Sequence, residues 1–514
     1  MKVQEFSTNG RPRRRQPKYN NRLSLSLKNE MLLLLLLAAG VALRLHRLAD
    51  RSFYDEAASW TFAHLSWGNF WHVIWNYEGN MAFYYLLLHG WSVFGDSEVA
   101  IRSLSVVFGA ATIPAIYWLG SYLFNRKAGL ISALLLAVHA FHIQFSQEAR
   151  GYALVTLVLV LSTYFFARAV QSPDDKKIWA GYVVLSAIAV YSQLFAVLVL
   201  AAQWLSLGVS EFKKIGISTV AIVIPTIVCL ISPMIAFVLF QNKGQLSWVK
   251  PLTVETFFSF AKLFAGGKDS LLAIYLTLCL CAVLPISKKI ASRQTQRLLI
   301  LWLGFPIITT ILVSLVTPIF VDRLFLMCVP ALILLASAGL VKLSQISPFS
   351  RLVSLGLLVS IVVLSILSNR TIWHTVVPSQ DTFQQMAKYV LVHQQPNDVA
   401  FIFPAATSLS FDYYMHRLSH NIPHAAIPTT VFPDFGETPS GAQPAPTKAD
   451  VEAAMKEHER VWLILDRRSI KPLPERIRTV RMIRLTFIEN SWKPKARQSF
   501  PAHLTATLYT KDGQ

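Results

Sequence analysis

The chain has 514 residues, of which 54% are Ala, Val, Ile, Leu, Met, Phe, Trp, Tyr or Cys and only 15% are charged. An average globular protein carries about 25% charged residues. Together with a mean hydropathy of +0.45, this excludes disorder, collagen, a disulfide scaffold and a soluble enzyme. The 48 Lys and Arg against 28 Asp and Glu, a formal charge of +20, fit the cationic cytoplasmic loops of a polytopic membrane protein; nucleic acid is not an expected partner.

Residues 1–27 are polar and include Arg11, Arg13, Arg14, Arg15, Lys18 and Arg22. They predict a disordered basic tail on the cytoplasmic side. Residues 31–48 read as an uncleaved first span, since no small-x-small cleavage site follows. Arg44 and Arg47, near its outer end, are expected to extend toward lipid headgroups. Residues 49–98 form the first outer loop. Trp60, His64, Trp67, Trp71 and Trp75 recur there at three- and four-residue steps. That is an aromatic stripe on one or two short helices, either in the headgroup layer or packed on the bundle. Residues 81–95 are apolar but short for a crossing, and a crossing there would invert the charge pattern of every later loop. They are expected in the outer interface or as a re-entrant piece.

Ten further apolar runs follow at 99–122, 128–145, 152–171, 178–192, 194–210, 215–240, 271–287, 298–317, 324–343 and 352–368. Basic segments alternate with the other loops, as positive-inside topology requires. The reading is a polytopic α-helical membrane domain over 28–370 with about 11 spans at ~20 residues each, or 13 if residues 81–95 belong to an extra pair of crossings. Cys229, Cys279, Cys281 and Cys328 all lie inside apolar runs, so neither a disulfide framework nor zinc-ligand spacing is present. Residues 371–514 change character. Helical periodicity at 382–394 and 448–459, and strand patterns at 398–403, 461–466, 482–488 and 505–510, predict an α/β domain with a Gly- and Pro-rich loop at 434–446. An odd number of spans and an inside N-terminus place this domain outside the cell.

Ionisable residues at membrane boundaries are costly and point to function by default. On the assigned topology Asp55, Glu56, Arg102, Glu148, Arg150, Asp322 and Arg323 share the outer face; His139 and His142 approach it and read as bundle packing. For each residue alone a structural ion pair is an equal reading, and their convergence is what favours a site holding an anion beside a base. No G-x-G-x-x-G or H-E-x-x-H occurs, and Gly266-Gly267-Lys268 lacks the first glycine of a phosphate loop, where Lys262 stands. An outer-face site without a nucleotide fold implies a donor already in the membrane, a lipid phosphate.

The stretches Arg44-Leu45-His46-Arg47-Leu48, Ser52-Phe53-Tyr54-Asp55-Glu56-Ala57, Phe83-Tyr84-Tyr85, Ser97-Glu98 with Arg102, Ser146-Gln147-Glu148-Ala149-Arg150-Gly151-Tyr152 and Asp322-Arg323-Leu324 resemble the protein-mannosyltransferase-like glycosyltransferases, family 39 of the GT-C superfamily. The chain departs from that family's common pattern at Asn80-Met81-Ala82, Gly151 and Leu324. The resemblance implies a GT-C fold over about residues 30–370 and inverting transfer of a monosaccharide from a polyprenyl-phosphate donor to a protein, lipid or glycan acceptor. It implies Asp55 as general base, Glu56 orienting the loop or helping bind a metal or acceptor, Arg323, Arg150 and Arg102 at the donor phosphate, and Glu148, Tyr152, Tyr84 and Asp322 at sugar or acceptor. A divalent metal ion is compatible with the family, but no ligand set is specified. The expected location is an inner or plasma membrane of bacterial type. A transporter or flippase of lipid-linked saccharides is the alternative.

Overall fold

The computed structural model describes residues 19–50, 55–76, 78–240, 249–286, 290–375, 379–404, 407–418, 426–427, 447–456, 458–466 and 474–511. In chain order the helices of the membrane part are α1 (Tyr19–Leu45), α2 (Asp55–Ala63), α3 (Trp67–Asn76), α4 (Ala82–Trp91), α5 (Glu98–Leu123), α6 (Arg126–Val138), α7 (Ala140–Ser146), α8 (Tyr152–Gln171), α9 (Lys176–Ser192), α10 (Ala196–Leu205), α11 (Val209–Ile215), α12 (Ile217–Phe240), α13 (Val254–Phe264), α14 (Asp269–Val283), α15 (Arg293–Ser314), α16 (Val329–Leu343) and α17 (Pro348–Thr375). The first helix starts at Tyr19, so only residues 1–18 of the expected tail lie outside the described residues. The loop expected at 434–446 also lies outside them.

Every segment read as a span contains helix, but the count changes. Among the described residues seven helices are long and apolar enough to cross a membrane, and ten do so if bent pairs count as single spans. The pairs are α6–α7 (61°), α10–α11 (99°) and α13–α14 (76°). The remaining segment, α9, has 17 residues, short of the ~20 of a typical span. The unbroken apolar run 128–145 concealed the first of these bends, whereas α13 lies outside the apolar runs read from the sequence. Between α13 and α14 the turn is made by Gly266 and Gly267, at φ of 109° and 91°, a region glycine enters without steric cost. The helix α4 has 10 residues, about 15 Å at 1.5 Å per residue, too short for a crossing.

The bend at His139 explains a correction. Arg44 does not reach for headgroups; it is fully buried. Its guanidinium donates to the carbonyls of Leu136 (3.2 Å), Ala137 (3.2 Å) and Gly40 (2.9 Å) and lies 2.8 Å from His142 Nδ1. The Ala137 carbonyl, freed at the end of α6, gains a donor in this way, the Leu136 carbonyl accepts from the His139 amide as well, and a cation suits the negative end of a helix. Gly109 leaves the room: a Cβ there would collide with Ser146 and sit 3.2 Å from Arg44 Nε.

The C-terminal part contains α18 (Ser379–His393), β1 (Val399–Phe403), α19 (Thr407–Leu418), β2 (Ala426–Ile427), α20 (Lys448–Lys456), β3 (Arg460–Asp466), α21 (Pro474–Glu489), β4 (Trp492–Phe500) and β5 (Leu504–Lys511). The strands form a mixed sheet in the order β2-β1-β3-β5-β4, with β1 parallel to β2 and β3, and β5 antiparallel to β3 and β4. Both faces are covered. Val399, Phe401, Val461 and Leu463 pack with Val451, Ile483 and Phe487, whereas Ile402, Trp462, Ile464 and Leu508 join the core of the helical bundle.

Residues 482–488, expected as a strand, are helical within α21. Val480, Ile483 and Phe487, at helical spacing, face the sheet, and that tertiary packing overrides the β-branched composition. Two strands were missed, the two-residue β2 and β4, which is polar and mostly exposed along its length. β4 is an edge strand held by β5, with Pro494 at a register shift, the place where a sheet tolerates proline.

Candidate active site

Asp55 is the first residue of α2; its side chain lies outside the described residues. The neighbouring Glu56 is buried. Its Oε1 accepts from Arg102 Nε (2.9 Å) and from the Ala149 amide (2.7 Å), and its Oε2 accepts from Arg102 Nε (3.1 Å) and Nη2. Arg102 Nη1 donates to the Leu48 carbonyl at 2.8 Å. One carboxylate therefore joins α2, the start of α5 and the 147–151 loop. Arg102, expected at the donor phosphate, has a fully buried side chain directed to Glu56 and Leu48. Through these bonds it braces the first loop.

Gln147 fastens the same loop to the end of α1, donating to the carbonyls of Arg44 (2.9 Å) and His46 (2.8 Å). Arg150 Nη1 donates to Tyr85 Oη at 2.7 Å and lies 4.0 Å from Glu78 Oε1. Tyr84 is buried, with its hydroxyl 2.9 Å from Ser105 Oγ; that hydroxyl in turn donates to the Arg150 carbonyl at 3.3 Å. Tyr152, the first residue of α8, is buried against Phe145 with ring centroids 5.5 Å apart. Glu148 sits half-buried in the loop. Glu56, Arg102, Arg150, Tyr84, Tyr152 and Glu148 are thus collected at one end of the bundle.

Asp322 and Arg323, both half-buried, open a 3-10 turn over Asp322–Cys328 that packs against α7 and α8. Trp302 Nε1 anchors this turn through the Met327 carbonyl at 2.9 Å. Asp322 lines a cleft of about 410 Å³ with Lys250, Thr256, Ser259, Phe260 and Phe320. A second groove, of about 620 Å³, is walled by Trp71, Trp75, Phe83, Leu86, Tyr191 and Phe237 and reaches Gly79, the residue after Glu78.

The aromatic stripe divides between its two readings. Trp67, Trp71 and Trp75 are 54%, 52% and 55% exposed, whereas Trp60 is buried. His139 and His142 are buried within the bundle.

Residues 80–237 match the family model described as dolichyl-phosphate-mannose-protein mannosyltransferase. Over that segment, less than half of the chain, the sequence is similar to this mannosyltransferase family. The fold of the chain is similar to that of ArnT from Cupriavidus metallidurans in the apo state (TM-score 0.62, 13% identity, 92% of this chain and 97% of that one). ArnT bound to undecaprenyl phosphate gives 0.58 at 12% identity, again over 92% and 97%. The oligosaccharyltransferase of Archaeoglobus fulgidus in the apo form gives 0.58 at 10% identity, over 93% of this chain and 74% of that one. At such identities the likeness is one of fold. No curated protein sequence matches the chain.

The matched segment spans α4 to α12 without Asp55, Glu56, Asp322 or Arg323. Two of its departures from the common family pattern meet in space. The Gly151 amide lies 3.5 Å from Met81 Sδ, and Tyr85 Oη lies 3.9 Å from the same sulfur. Asn80 Oδ1 accepts from the Leu194 amide at 3.1 Å. Glu78, Met81 and Tyr85 as supports of the loop were not legible locally, because each acts through a residue 65–72 positions away. Among the described residues no three His, Cys, Asp or Glu side chains converge as a metal-binding group.

Proposed function

We propose that this protein moves a monosaccharide from a polyprenyl-phosphate carrier to an acceptor hydroxyl on the extracytoplasmic face, with inversion at the anomeric carbon. The observation that carries the reading is the hydrogen bond from the Ala149 amide to Glu56, which draws the loop bearing Arg150 onto the helix that opens with Asp55. The undecaprenyl phosphate in the ArnT complex and the apolar groove ending beside Glu78 support a prenyl carrier.

In the proposed step Asp55 accepts the acceptor's hydroxyl proton as its oxygen bonds to the anomeric carbon. The bond from that carbon to the carrier's phosphate oxygen breaks on the opposite side of the sugar. The departing phosphate is already a stable anion, so fixed cations rather than a general acid assist it. Arg323 and Arg150 fill this role, with Glu148, Tyr152, Tyr84 and Asp322 shaping the sugar or acceptor space. Arg102 acts indirectly by holding Glu56.

The test is transfer from a panel of radiolabelled undecaprenyl-phosphate hexoses and pentoses in membranes with and without the protein, repeated with Asp55→Asn. Consumption of one donor, cut by about 10²- to 10⁴-fold in the variant, supports the reading. Full turnover in Asp55→Asn rejects the base. Movement of carrier across vesicles without consumption indicates a transporter instead.

A further inference from the structure

The helix α19 belongs to the C-terminal sheet domain, yet it packs on α2, the helix that begins with Asp55 and Glu56. Trp60 of α2 meets Tyr413 edge-on at 5.2 Å and His416 at 5.4 Å between ring centroids. Tyr413 Oη donates to the Asp96 carbonyl at 3.3 Å and accepts from Arg417 Nη1 at 3.0 Å. The same Arg417 nitrogen pairs with Glu98, whose side chain is 9% exposed. Phe411, Tyr413, Tyr414 and Met415 are buried in the core that also holds Trp60, Phe62 and Tyr84. The contact is thus a shared interior rather than a tethered neighbour.

Glu98 opens α5, and one helical turn later Arg102 grips Glu56. A side chain from the C-terminal domain therefore fixes the start of the helix that fixes the acidic loop. Resting on the transfer reaction above, we propose that α19 is part of the catalytic centre and that Arg417 is a positioning residue. Through Glu98 and Arg102 it sets where α2 holds Asp55.

The pair is charge-assisted, so its strength depends on a guanidinium or ammonium facing a carboxylate. A displacement of about 1 Å at a reacting group far from the substitution lowers turnover by about 100-fold. The consequence for donor binding is separate, because neither Arg417 nor Glu98 lines the apolar groove.

The test compares Arg417→Met, Arg417→Lys, Glu98→Gln and Arg417→Met/Glu98→Gln in full-length protein. Turnover is measured with the undecaprenyl-phosphate sugar the wild type uses best, and binding with undecaprenyl phosphate alone. The expected result is a fall in kcat of about 10- to 100-fold for Arg417→Met and Glu98→Gln with undecaprenyl phosphate affinity unchanged. The double variant should be no worse than either single one, and Arg417→Lys should recover part of the rate. Wild-type kcat in Arg417→Met overturns the proposal. So does a parallel loss of kcat, undecaprenyl phosphate binding and melting temperature that Arg417→Lys does not relieve, since that marks a fold defect alone. Asp55→Asn, run alongside, reports separately on the transfer reaction: full turnover there with a slow Arg417→Met rejects the base and leaves the coupling standing.

Discussion

Glu56 and Arg102, 46 positions apart in the sequence, share three hydrogen bonds, with side chains only 4% and 0% exposed. Removing one member of such a buried pair strands the other's charge, at about 3–5 kcal/mol. Arg102→Met should therefore lower the melting temperature of the detergent-solubilised protein markedly. Arg102→Met combined with Glu56→Leu should recover much of that loss while leaving transfer slow, because the Ala149 amide stays untethered. A melt unchanged in Arg102→Met would contradict this.

Gly151 tests how tightly the loop is seated. A Cβ there would stand 2.9 Å from the Ser192 carbonyl oxygen and 3.3 Å from Tyr84 Cβ. Gly151→Ala should cost about 1–3 kcal/mol by overpacking. Gly151→Pro should cost more, since it also removes the N–H facing Met81 Sδ. Equal melting curves for the two variants would argue against a role for the sulfur contact.

Arg44 makes a comparable case in the bundle. Arg44→Met leaves the Ala137 carbonyl without this donor, at about 1–3 kcal/mol for a buried group left unsatisfied, while the Leu136 carbonyl keeps the His139 amide at 3.4 Å. Arg44→Lys should restore little, because an ammonium does not reproduce the guanidinium fork. Thermal unfolding of the three proteins ranks them.

Burial on α19 pushes the Asp412 carboxyl up to about 7. The raised value means the folded state holds its proton more tightly than the unfolded chain. Stability on this account falls as pH rises from about 4 to about 7 and stays low above that. Asp412→Asn should melt higher than wild type at pH 8 and no differently near pH 4. Identical melting-temperature profiles against pH would remove Asp412 from the account.

Ala187 lies in the wall of the 620 Å³ groove. Ala187→Trp should weaken binding of long-chain undecaprenyl phosphate while sparing a short citronellyl phosphate. Equal weakening of both would show that the groove does not hold the chain.

The sequence told much about the membrane part because apolar runs are an unambiguous signal, and about β1, β3 and β5 because their hydrophobic stretches are short and bounded. It concealed β4, which has no apolar alternation, and it disguised α21, whose Ile483 and Phe487 satisfy helix and strand patterns equally until the sheet selects one. For the site, the common level of Glu56, Arg102 and Arg150 was legible from topology. Their division of labour was not. That Arg102 braces Glu56, while Arg150 meets Tyr85 and Glu78, depends on long-range contacts that leave no trace in local spacing. Arg44 was misjudged for the same reason: a helix-end arginine looks identical whether lipid or a broken neighbouring helix awaits it.

Because Trp60, Phe62, Phe411 and Tyr413 occupy one continuous interior, the sheet domain is not an interchangeable attachment. An exchange of C-terminal domains between related enzymes would have to splice after α19, keeping residues 407–418 with their native loop. A graft made at the end of α17 would leave an aromatic socket open above α2.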